Sequence, residues 1–413
     1  MADPPPGAAP PRRPLDGVRV LELANFMAGP YCGMVLADLG ADVIKVESPH
    51  GGDFSRATGP FVGGESAGFM ALNRNKRSLA LDLKAARGKA LFLDLVRTAD
   101  VLVENFRPGA MDALGLGYAT LAALNPRLIY SSASGFGQTG PYRERPALDL
   151  IVQGMSGLMS ITGEPDRPPV KVGVPIADLT AALFGANAIL AALYVRDRSG
   201  EGQRIDVSLL ESALALAVWE TSGYFATGEV PEPLGSAHRV TAPYQALRTA
   251  DGYVTIGAST PKSWTALCAA LGLGHLEHDP RFATVAARRA RYQELAALLE
   301  AVTTTQPSAH WYRLLEAAGV PCGVLNRIDQ AVADEQVQAR GFVVELPHAT
   351  AGAVRATGSP LRLSRTPVRL ERAGPLLGEH TTEVLAELGL DAAEIARLEQ
   401  AGVVAVAPAP AGT

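Results

Sequence analysis

The sequence predicts an α/β fold with a mostly parallel sheet, joined to a smaller α+β domain. Its 413 residues exceed the length at which a single hydrophobic core keeps growing, so two domains are expected. Residues 18–47 alternate an apolar strand, a helix and a second apolar strand, which is the pattern of a βαβ unit. Residues 228–335 change to a hairpin pattern followed by short helices, which indicates a separate small domain.

The parallel sheet is predicted from the elements of the first half of the chain. The strand VRVLEL precedes the loop ANFMAG and a helix that opens at Pro30, a residue favoured in the first helical turn. The strand ADVIKVE, the amphipathic helix LKAARGKALFLDLVRTA and the strands DVLVE and RLIYSSAS continue the alternation. Ligands of such sheets gather at the carboxyl ends of the strands, where the loops 24–29, 105–109 and 134–140 lie.

The later elements complete the predicted domains. A long apolar helix follows Asp178, and a strand GQRIDVS and a further helix end the first part of the large domain. The segment after the small domain either returns to the large domain or extends the small one, and composition leaves both open. The predicted ranges are 1–14 (disordered Pro/Ala-rich tail), 15–227 (large domain, N-terminal part), 228–335 (small domain), 336–404 (C-terminal part) and 405–413 (disordered tail).

Composition and charge disfavour several function classes. The net charge of −5, without a basic block interleaved with aromatic residues, predicts that no nucleic acid is bound. Cys32, Cys268 and Cys322 lie far apart, which is typical of a reducing compartment rather than of a zinc knuckle or a disulfide framework. Residues 1–14 contain no apolar stretch of signal-peptide length, and nowhere do about 18 apolar residues run unbroken, as a membrane span requires, so a cytoplasmic protein is expected. Neither a metal nor a redox cofactor is implied.

Two short segments imitate known signatures. Residues 135–140, GFGQTG, match the dinucleotide fingerprint, but Pro141 and a polar stretch follow where that motif requires a helix. Residues 64–68, GESAG, match the nucleophile elbow of serine hydrolases, but the residues before them form a poor strand. The context disfavours both signatures, and a GxSxG serine hydrolase is kept as an alternative.

Several charged residues are candidates for a functional role. Asp178 begins a long apolar helix, where it is either an N-cap or a functional carboxylate. Asp149 has the same character at the start of another helix. Arg74, Lys76 and Arg77 form a basic cluster just before a strand, which is either a solvated face or a phosphate site.

Seven N-terminal segments and one late segment together resemble the class III CoA-transferases, also called the CaiB/BaiF family. Their number and order carry the resemblance, which extends from about residue 14 to residue 404 and is nearest to succinyl-CoA-dependent transferases of dicarboxylates such as glutarate. The segments are LDGVRVLELANFMAGPYCGMVLADLGADVIKVE, NRNKRSLALDLK, ADVLVENFRPGAMDALGLGY, NPRLIYSSASGFGQTGPY, LDLIVQGMSGLMSITG, IADLTAALFGANAILAAL, GQRIDVSLLESALAL and PLLGEHTTEVLAELGL.

The resemblance implies a fold and a reaction. The implied fold is a Rossmann-like large domain built from both chain ends, a smaller central domain, and two chains threaded through each other as an interlocked homodimer. The implied enzyme moves CoA from an acyl-CoA to a free carboxylic acid, with no permanently bound cofactor. Asp178 takes the place of the nucleophile, which forms a mixed anhydride and then an aspartyl-CoA thioester. An ordinary aspartate pKa of about 4 would leave it ionised at neutral pH without a general base.

The resemblance also implies the residues around the nucleophile. Asp149 falls where relatives have an acid close to the nucleophile, and a protonated carboxyl there would position the acyl group. Arg107 is expected to contact a phosphate, because it is a cation at the carboxyl end of a strand. The implied CoA-binding residues are Ala28, Leu81, Asp82, Leu83, Lys84, Asn105, Phe106 and Arg107.

Two departures from the family pattern narrow the substrate. Racemases of 2-methylacyl-CoA carry a histidine, one of their two proton-transfer bases, where this chain has Leu148. The chain therefore lacks one of the two bases that a racemase uses, and the racemase is kept as a disfavoured alternative. Formyl-CoA transferases carry a mobile run of glycines where this chain has LGSAHRVTAPYQAL, which disfavours formyl and oxalyl groups. A dicarboxylate requires a cation at the far end of the pocket, and His238 and Arg239 are either that cation or surface residues. A CoA-binding protein without catalysis is a further alternative, which the retained Asp178 disfavours.

Overall fold

The computed structural model describes residues 12–408, which form two compact units. The first unit comprises residues 12–158, 172–219 and 338–408, and the second comprises 159–171 and 220–337. The sequence did not indicate that 159–171 belongs with the predicted small domain, because that link is a tertiary contact. The backbone N–H of Gly235 donates to the Gly163 carbonyl at 2.8 Å.

The strands and α-helices are labelled in chain order. The strands are β1 Arg19–Leu23, β2 Asp42–Glu47, β3 Phe61–Val62, β4 Glu65–Ser66, β5 Arg77–Leu81, β6 Val101–Glu104, β7 Ile129–Ser134, β8 Arg204–Ser208, β9 Tyr244–Arg248, β10 Tyr253–Gly257, β11 Cys322–Val324, β12 Val343–His348, β13 Gly352–Thr357 and β14 Val404–Ala405. The helices are α1 Ala28–Asp38, α2 Ala67–Leu72, α3 Ala86–Val96, α4 Ala110–Ala113, α5 Tyr118–Leu124, α6 Asp149–Met155, α7 Leu158–Ile161, α8 Ile176–Ser199, α9 Leu209–Leu216, α10 Val218–Thr227, α11 Pro261–Ala270, α12 Val285–Ala290, α13 Tyr292–Thr303, α14 Ser308–Ala317, α15 Ile328–Ala333, α16 Glu335–Ala339, α17 Thr381–Glu387 and α18 Ala392–Gln400.

A seven-stranded sheet is the frame of the first unit. Its strand order is β14-β5-β2-β1-β6-β7-β8, and all neighbours pair in parallel except β14, which runs antiparallel to β5. The order reverses between β1 and β6, as in a Rossmann-like sheet, and such a switch point is where ligands bind. The predicted mostly parallel α/β sheet is confirmed.

Helices cover both faces of this sheet. Val20 and Leu21 are successive residues of β1 and belong to opposite cores, because side chains alternate along a strand. The core of Val20 includes Ile189 of α8, and α1 packs there too. The core of Leu21 includes Leu91 of α3 and Val384 of α17, so the C-terminal segment packs on the same sheet as the N-terminal one.

Order extends further towards both chain ends than the sequence predicts. Ala405, expected in the C-terminal tail, pairs with Ala80 in β14. The Arg13 side chain, expected in the N-terminal tail, donates to Asp16 at 2.8 Å. The remaining parts of the predicted tails, 1–11 and 409–413, lie outside the described residues.

The second unit has its own sheet and core. Strands β9, β10 and β11 form an antiparallel sheet of order β11-β10-β9, and Leu247 pairs with Val254 across the predicted hairpin. Trp264 of α11, Leu299 of α13 and Leu315 of α14 pack with these strands in one core. The unit therefore has the α+β character that its hairpin pattern predicts.

Candidate active site

Asn105 ties together the two loops at the switch point of the large sheet. Its Oδ1 accepts the backbone N–H of Asn25 at 2.9 Å, and its Nδ2 donates to the Asn25 carbonyl at 2.8 Å. Ala28 is buried at the start of α1, directly after this loop. A Cβ on Gly29 would lie 2.3 Å from the Cβ of Ala24, so only glycine allows this close approach.

A cavity of about 630 Å³ opens beside this loop. It brings together residues that follow β1, β2, β5 and β6, all at the same edge of the sheet. Five of the implied CoA-binding residues lie in its wall, namely Leu81, Asp82, Leu83, Lys84 and Phe106.

Residues that follow β2 also line this cavity, although the family resemblance does not imply them. They are Ser48, His50, Gly52, Asp53 and Phe54. The rule that ligands gather at the carboxyl ends of parallel strands would have indicated this segment, because it follows directly after Glu47, the last residue of β2.

Arg107 lies in the wall of a different, smaller pocket of about 150 Å³. Glu104, Asp112 and Arg204 line the same pocket. Burial raises the pKa of the Glu104 carboxyl to about 6. The structure therefore places Arg107 apart from the cavity that the other implied CoA-binding residues line.

Asp149 caps the helix that carries Asp178. Its Oδ1 accepts the backbone N–H of Ala177 at 2.9 Å, and its Oδ2 accepts Nε2 of the buried Gln153 at 2.7 Å. The helix needs this outside acceptor because its own N-cap residue, Pro175, makes no side-chain hydrogen bond. Both oxygens of Asp149 thus accept N–H donors of the protein.

Asp178 is the third residue of α8, and its carboxyl accepts no hydrogen bond within the described chain. Burial first, and then the charge of Asp149, raise the pKa of Asp178 to about 7. The helix N-terminus favours an anion, but these two effects outweigh it. The expected pKa of about 4 is therefore wrong for the described chain.

The basic cluster of 74–77 is not a phosphate site. Arg74 Nη2 pairs with Asp38 at 2.6 Å, and Lys76 Nζ pairs with Glu22 at 2.7 Å. Arg77 pairs with Asp42, also at 2.6 Å. Since acids within the fold neutralise all three cations, the phosphate alternative is wrong, and so is the solvated-face alternative because all three side chains are buried.

Matches to known proteins identify the family of this chain. Residues 15–381 match the family model described as CoA-transferase family III. The chain belongs to CoA-transferase family III. Among relatives of this family III chain, a succinate–glutarate CoA-transferase of Agrobacterium fabrum is 46% identical over 382 residues, covering 91% of this chain and 96% of the relative. An acetyl-CoA:oxalate CoA-transferase of Acetobacter aceti is 42% identical over 373 residues, covering 90% and 95%.

Solved structures agree with the family III assignment. The crystal structure of a CaiB/BaiF family protein from Brucella suis superposes with a TM-score of 0.83 and 43% identity, covering 91% of this chain and 100% of that chain. The resemblance to the CaiB/BaiF family, nearest its glutarate-type transferases, is confirmed. The chain is a CoA-transferase, and its substrates are CoA thioesters and carboxylates.

The imitated signatures have structural roles in this family III chain. Ser66 of the GESAG segment is a buried N-cap of α2, since its Oγ accepts the backbone N–H of Phe69 and donates to the Thr58 carbonyl. The GFGQTG segment follows β7, and the next helix begins only at Asp149. The GFGQTG segment lacks the helix that its signature requires, and the GESAG serine ends a strand of only two residues and has its hydroxyl buried, whereas the nucleophile of an elbow is exposed.

His238 and Arg239 lie in the second unit. His238 Nδ1 accepts the backbone N–H groups of Val240 and Thr241, and its ring stacks on Tyr244 with centroids 5.0 Å apart. This bonding places the proton on Nε2, which is left as a donor. Arg239 donates to the Glu232 carbonyl at 3.0 Å and is partly exposed.

Proposed function

We propose that this CoA-transferase works through a covalent aspartyl-CoA thioester on Asp178, with a succinyl-CoA-like donor and a dicarboxylate acceptor. The observation that carries the proposal is the Asp178 carboxyl itself, which lies at a helix N-terminus with no hydrogen bond from the described chain to its oxygens. A carboxylate without hydrogen bonds keeps its lone pairs available and is a better nucleophile than one that is bonded.

The proposed reaction exchanges acyl groups at the Asp178 carboxyl. An ionised oxygen of Asp178 attacks the thioester carbonyl of the donor, and CoA thiolate leaves to give a mixed anhydride. The thiolate then attacks the aspartyl carbonyl carbon, releasing the donor carboxylate and forming the aspartyl-CoA thioester. The acceptor carboxylate and the thiolate repeat these two steps in reverse, which restores Asp178. No external proton donor or oxidant is needed.

Asp149 and Gln153 support the nucleophile in this proposal. Asp149 fixes the first turn of α8 through the Ala177 N–H, and Gln153 bridges Asp149 Oδ2 and the backbone N–H of Val172. These contacts hold the backbone on either side of residues 173–176. We assign Asp149 a positioning role that replaces the acyl-binding role expected from the sequence.

The 630 Å³ cavity is the proposed CoA site. Leucine and phenylalanine side chains supply an apolar wall, and Lys84 supplies a cation for phosphate groups. Asn105 holds the loop that forms one wall. We propose that Arg107 contacts a CoA phosphate outside this cavity, because its side chain lines a separate pocket.

The dicarboxylate acceptor is proposed from two observations. The Agrobacterium relative is named for succinate and glutarate, both dicarboxylates. Within the second unit, His238 presents an Nε2–H donor and Arg239 carries a cation 3.9 Å from Glu220, and both are groups that recognise carboxylates.

The adduct experiment tests the nucleophile. Wild-type protein mixed with succinyl-CoA and quenched with hydroxylamine should give a hydroxamate that peptide mass spectrometry locates on Asp178. Asp178→Ala should give none, whereas Asp149→Asn should still form it. An adduct on another residue would overturn Asp178 as the nucleophile. No adduct with any of several acyl-CoAs, together with exchange of the α-hydrogen of a 2-methylacyl-CoA, would replace the transferase mechanism with the racemase alternative.

We propose an interlocked homodimer in the cytoplasm as the working form. Helix α8 exposes the apolar side chains of Leu183, Phe184, Tyr194 and Val195, and Phe225 of α10 is 80% exposed. Single exposed apolar residues are normal on a monomer, but several together indicate a surface that a partner chain covers. By length and composition alone α8 could also cross a membrane, but half of its apolar window is buried, as in a core helix. Analytical ultracentrifugation should show dimers down to nanomolar protein, and a folded monomer would contradict the proposal.

A further inference from the structure

A cavity of about 420 Å³ lies within the second unit, and all the residues that line it belong to that unit. Helix α11 contributes Trp264 and Thr265 to its wall, and α12 contributes Arg288. Glu277 and His278 come from the segment between these helices. The proposed reaction uses none of these side chains.

Arg288 is a buried cation without a carboxylate partner. It is 2% exposed, its Nε donates to the Ala242 carbonyl at 2.8 Å, and its Nη1 donates to the Phe282 carbonyl at 2.8 Å. Within residues 12–408, no carboxylate lies at salt-bridge distance from Arg288 and no acceptor bonds its Nη2. Burial lowers the pKa of the guanidinium from its ordinary value. Arginine is rarely buried unless it is paired, so a negative partner is missing here.

The indole of Trp264 is a second unsatisfied donor beside Arg288. The guanidinium carbon lies 4.7 Å from the centre of the Trp264 ring, so the ring face offsets part of the positive charge. Trp264 is buried, and its Nε1–H has no acceptor in the part of the chain that the structure describes. Trp311, in the same core, donates its Nε1–H to the Thr303 carbonyl at 2.6 Å. Two neighbouring buried donors thus lack an acceptor that a bound ligand would supply.

The rest of the wall limits the charge and the shape of that ligand. Glu277 is partly buried, and its Oε1 accepts the Thr265 hydroxyl at 2.6 Å. One acid facing one cation favours a ligand with a single negative charge, because Glu277 repels a second one. Apolar surface comes from Pro261, Ala283 and Val285.

We propose that this cavity binds a small monocarboxylate with an apolar body, whose carboxylate oxygens accept hydrogen bonds from Arg288 and from the Trp264 indole. Guanidinium groups bind carboxylates strongly because charge and paired donors act together. The bound carboxylate would satisfy both donors and neutralise the buried cation. The inference does not depend on the proposed function, since it involves neither the nucleophile nor the CoA cavity.

Benzoate and benzamide test the inference, because they have nearly the same shape and differ in charge. Isothermal titration calorimetry on the full chain, without any CoA thioester, should show one benzoate site that disappears when Arg288 is changed. Benzamide should bind on the order of 10-fold more weakly than benzoate. Arg288→Met should weaken benzoate binding on the order of 10-fold and leave benzamide binding unchanged. Trp264→Phe keeps an aromatic ring, removes the N–H and should weaken benzoate binding about fivefold.

Arg281→Met is the matched control, because it removes an exposed cation of the same unit that pairs with Asp279 and does not line the cavity. It should leave benzoate binding unchanged. Glu277→Gln keeps the acceptor for Thr265 and removes the repelling charge, so it should tighten benzoate binding a few-fold, and it tests the site even when Arg288→Met does not fold.

Three results would overturn the inference. They are equal affinities for benzoate and benzamide, benzoate binding that Arg288→Met leaves intact, and no benzoate binding at all. If benzoate does not bind while Arg288→Met weakens the dimer in analytical ultracentrifugation, the missing negative partner belongs to the other chain. The proposed function fails separately, when wild-type protein forms no adduct on Asp178.

Discussion

Asp149 Oδ1 accepts the backbone N–H of Ala177 at 2.9 Å, so the side chain that caps α8 also places a negative charge beside the next residue, Asp178. A single carboxylate therefore does two things to the nucleophile. It fixes the helical turn that presents Asp178, and it adds to the effect of burial in raising the pKa of Asp178 to about 7. Nucleophile position and nucleophile ionisation are coupled through one residue.

The first prediction concerns the pH dependence of the reaction. Because attack requires the ionised form of Asp178, kcat/KM should rise tenfold per pH unit below about pH 7 and level off above it. Asp149→Asn removes the neighbouring charge but keeps an oxygen that can accept the Ala177 N–H. Its pH–rate profile should therefore level off at a lower pH than that of the wild type.

Steady-state kinetics between pH 5 and 9 measure this shift. Gln153→Leu is a matched control, because it removes a hydrogen bond to Asp149 without removing the charge of Asp149. An Asp149→Asn profile that coincides with the wild-type profile would mean that burial alone sets the pKa of Asp178.

The second prediction concerns stability and follows from the same raised pKa. Between about pH 4, where an unfolded aspartate ionises, and about pH 7, the folded state binds more protons at Asp178 than the unfolded state. The free energy of unfolding that this group contributes therefore falls as pH rises through that window. Asp178→Asn should have a higher Tm than the wild type at pH 8 and a smaller advantage at pH 4.5.

Differential scanning calorimetry at the two pH values tests this. Asp197→Asn changes an exposed acid on the same helix, and its Tm difference from the wild type should stay nearly constant with pH. The prediction is contradicted when Asp178→Asn behaves like Asp197→Asn.

The third prediction separates the transferase from the GxSxG hydrolase alternative. Ser66 Oγ accepts the Phe69 N–H at 3.2 Å as the N-cap of α2, so Ser66→Ala should cost about 1 kcal/mol of stability and leave transferase activity nearly unchanged. Ser66→Thr keeps the capping oxygen and should recover most of that stability. Chemical denaturation and an activity assay measure both. A loss of activity beyond tenfold in Ser66→Ala that Ser66→Thr does not recover would revive the hydrolase alternative.

The sheet is well predicted from the sequence because each strand is indicated by the apolar pattern of its own residues. The apolar runs expected at 18–23 and 41–47 become β1, Arg19–Leu23, and β2, Asp42–Glu47. Alternation of strand and helix then implies parallel pairing. The grouping of 159–171 with 220–337 is not predictable in this way, because no local pattern indicates which distant residues the segment contacts.

The site is predictable only in part, because its properties depend on residues far apart in sequence. Asp178 was identified through family resemblance, since its own neighbours fit a simple helix cap equally well. The actual cap of α8 comes from Asp149, 28 residues before Ala177. The pKa of Asp178 likewise depends on burial and on Asp149, neither of which periodicity shows.

The basic cluster illustrates the same limit. Arg74 and Lys76 stand close together in the sequence and suggest a patch that binds phosphate. Their acidic partners, Asp38 and Glu22, come from α1 and β1, so only the assembled fold reveals that the charges are already paired.

The fourth prediction concerns the buried ion pairs beneath the loop of Phe26. Glu22 receives Lys45 on Oε1 at 2.9 Å and Lys76 on Oε2 at 2.7 Å, and all three side chains are fully buried. Burial lowers the pKa of Lys76 to about 8, since the loss of water and the charge of Lys45 outweigh the attraction of Glu22. Removing one partner leaves a buried charge poorly compensated, so Lys76→Met should cost about 3 kcal/mol or more.

A double-mutant cycle gives the decisive measurement. Glu22→Gln with Lys76→Met removes both charges of one pair while Asp53 still compensates Lys45, so the combined loss should be clearly smaller than the sum of the single losses. The exposed pair of Arg327 and Asp329 is the matched control, and Arg327→Met there should leave the free energy of unfolding nearly unchanged. Additive losses at Glu22 and Lys76 would mean that the two charges are stabilised independently, and the loop would then be anchored by its hydrogen bonds rather than by the ion pairs.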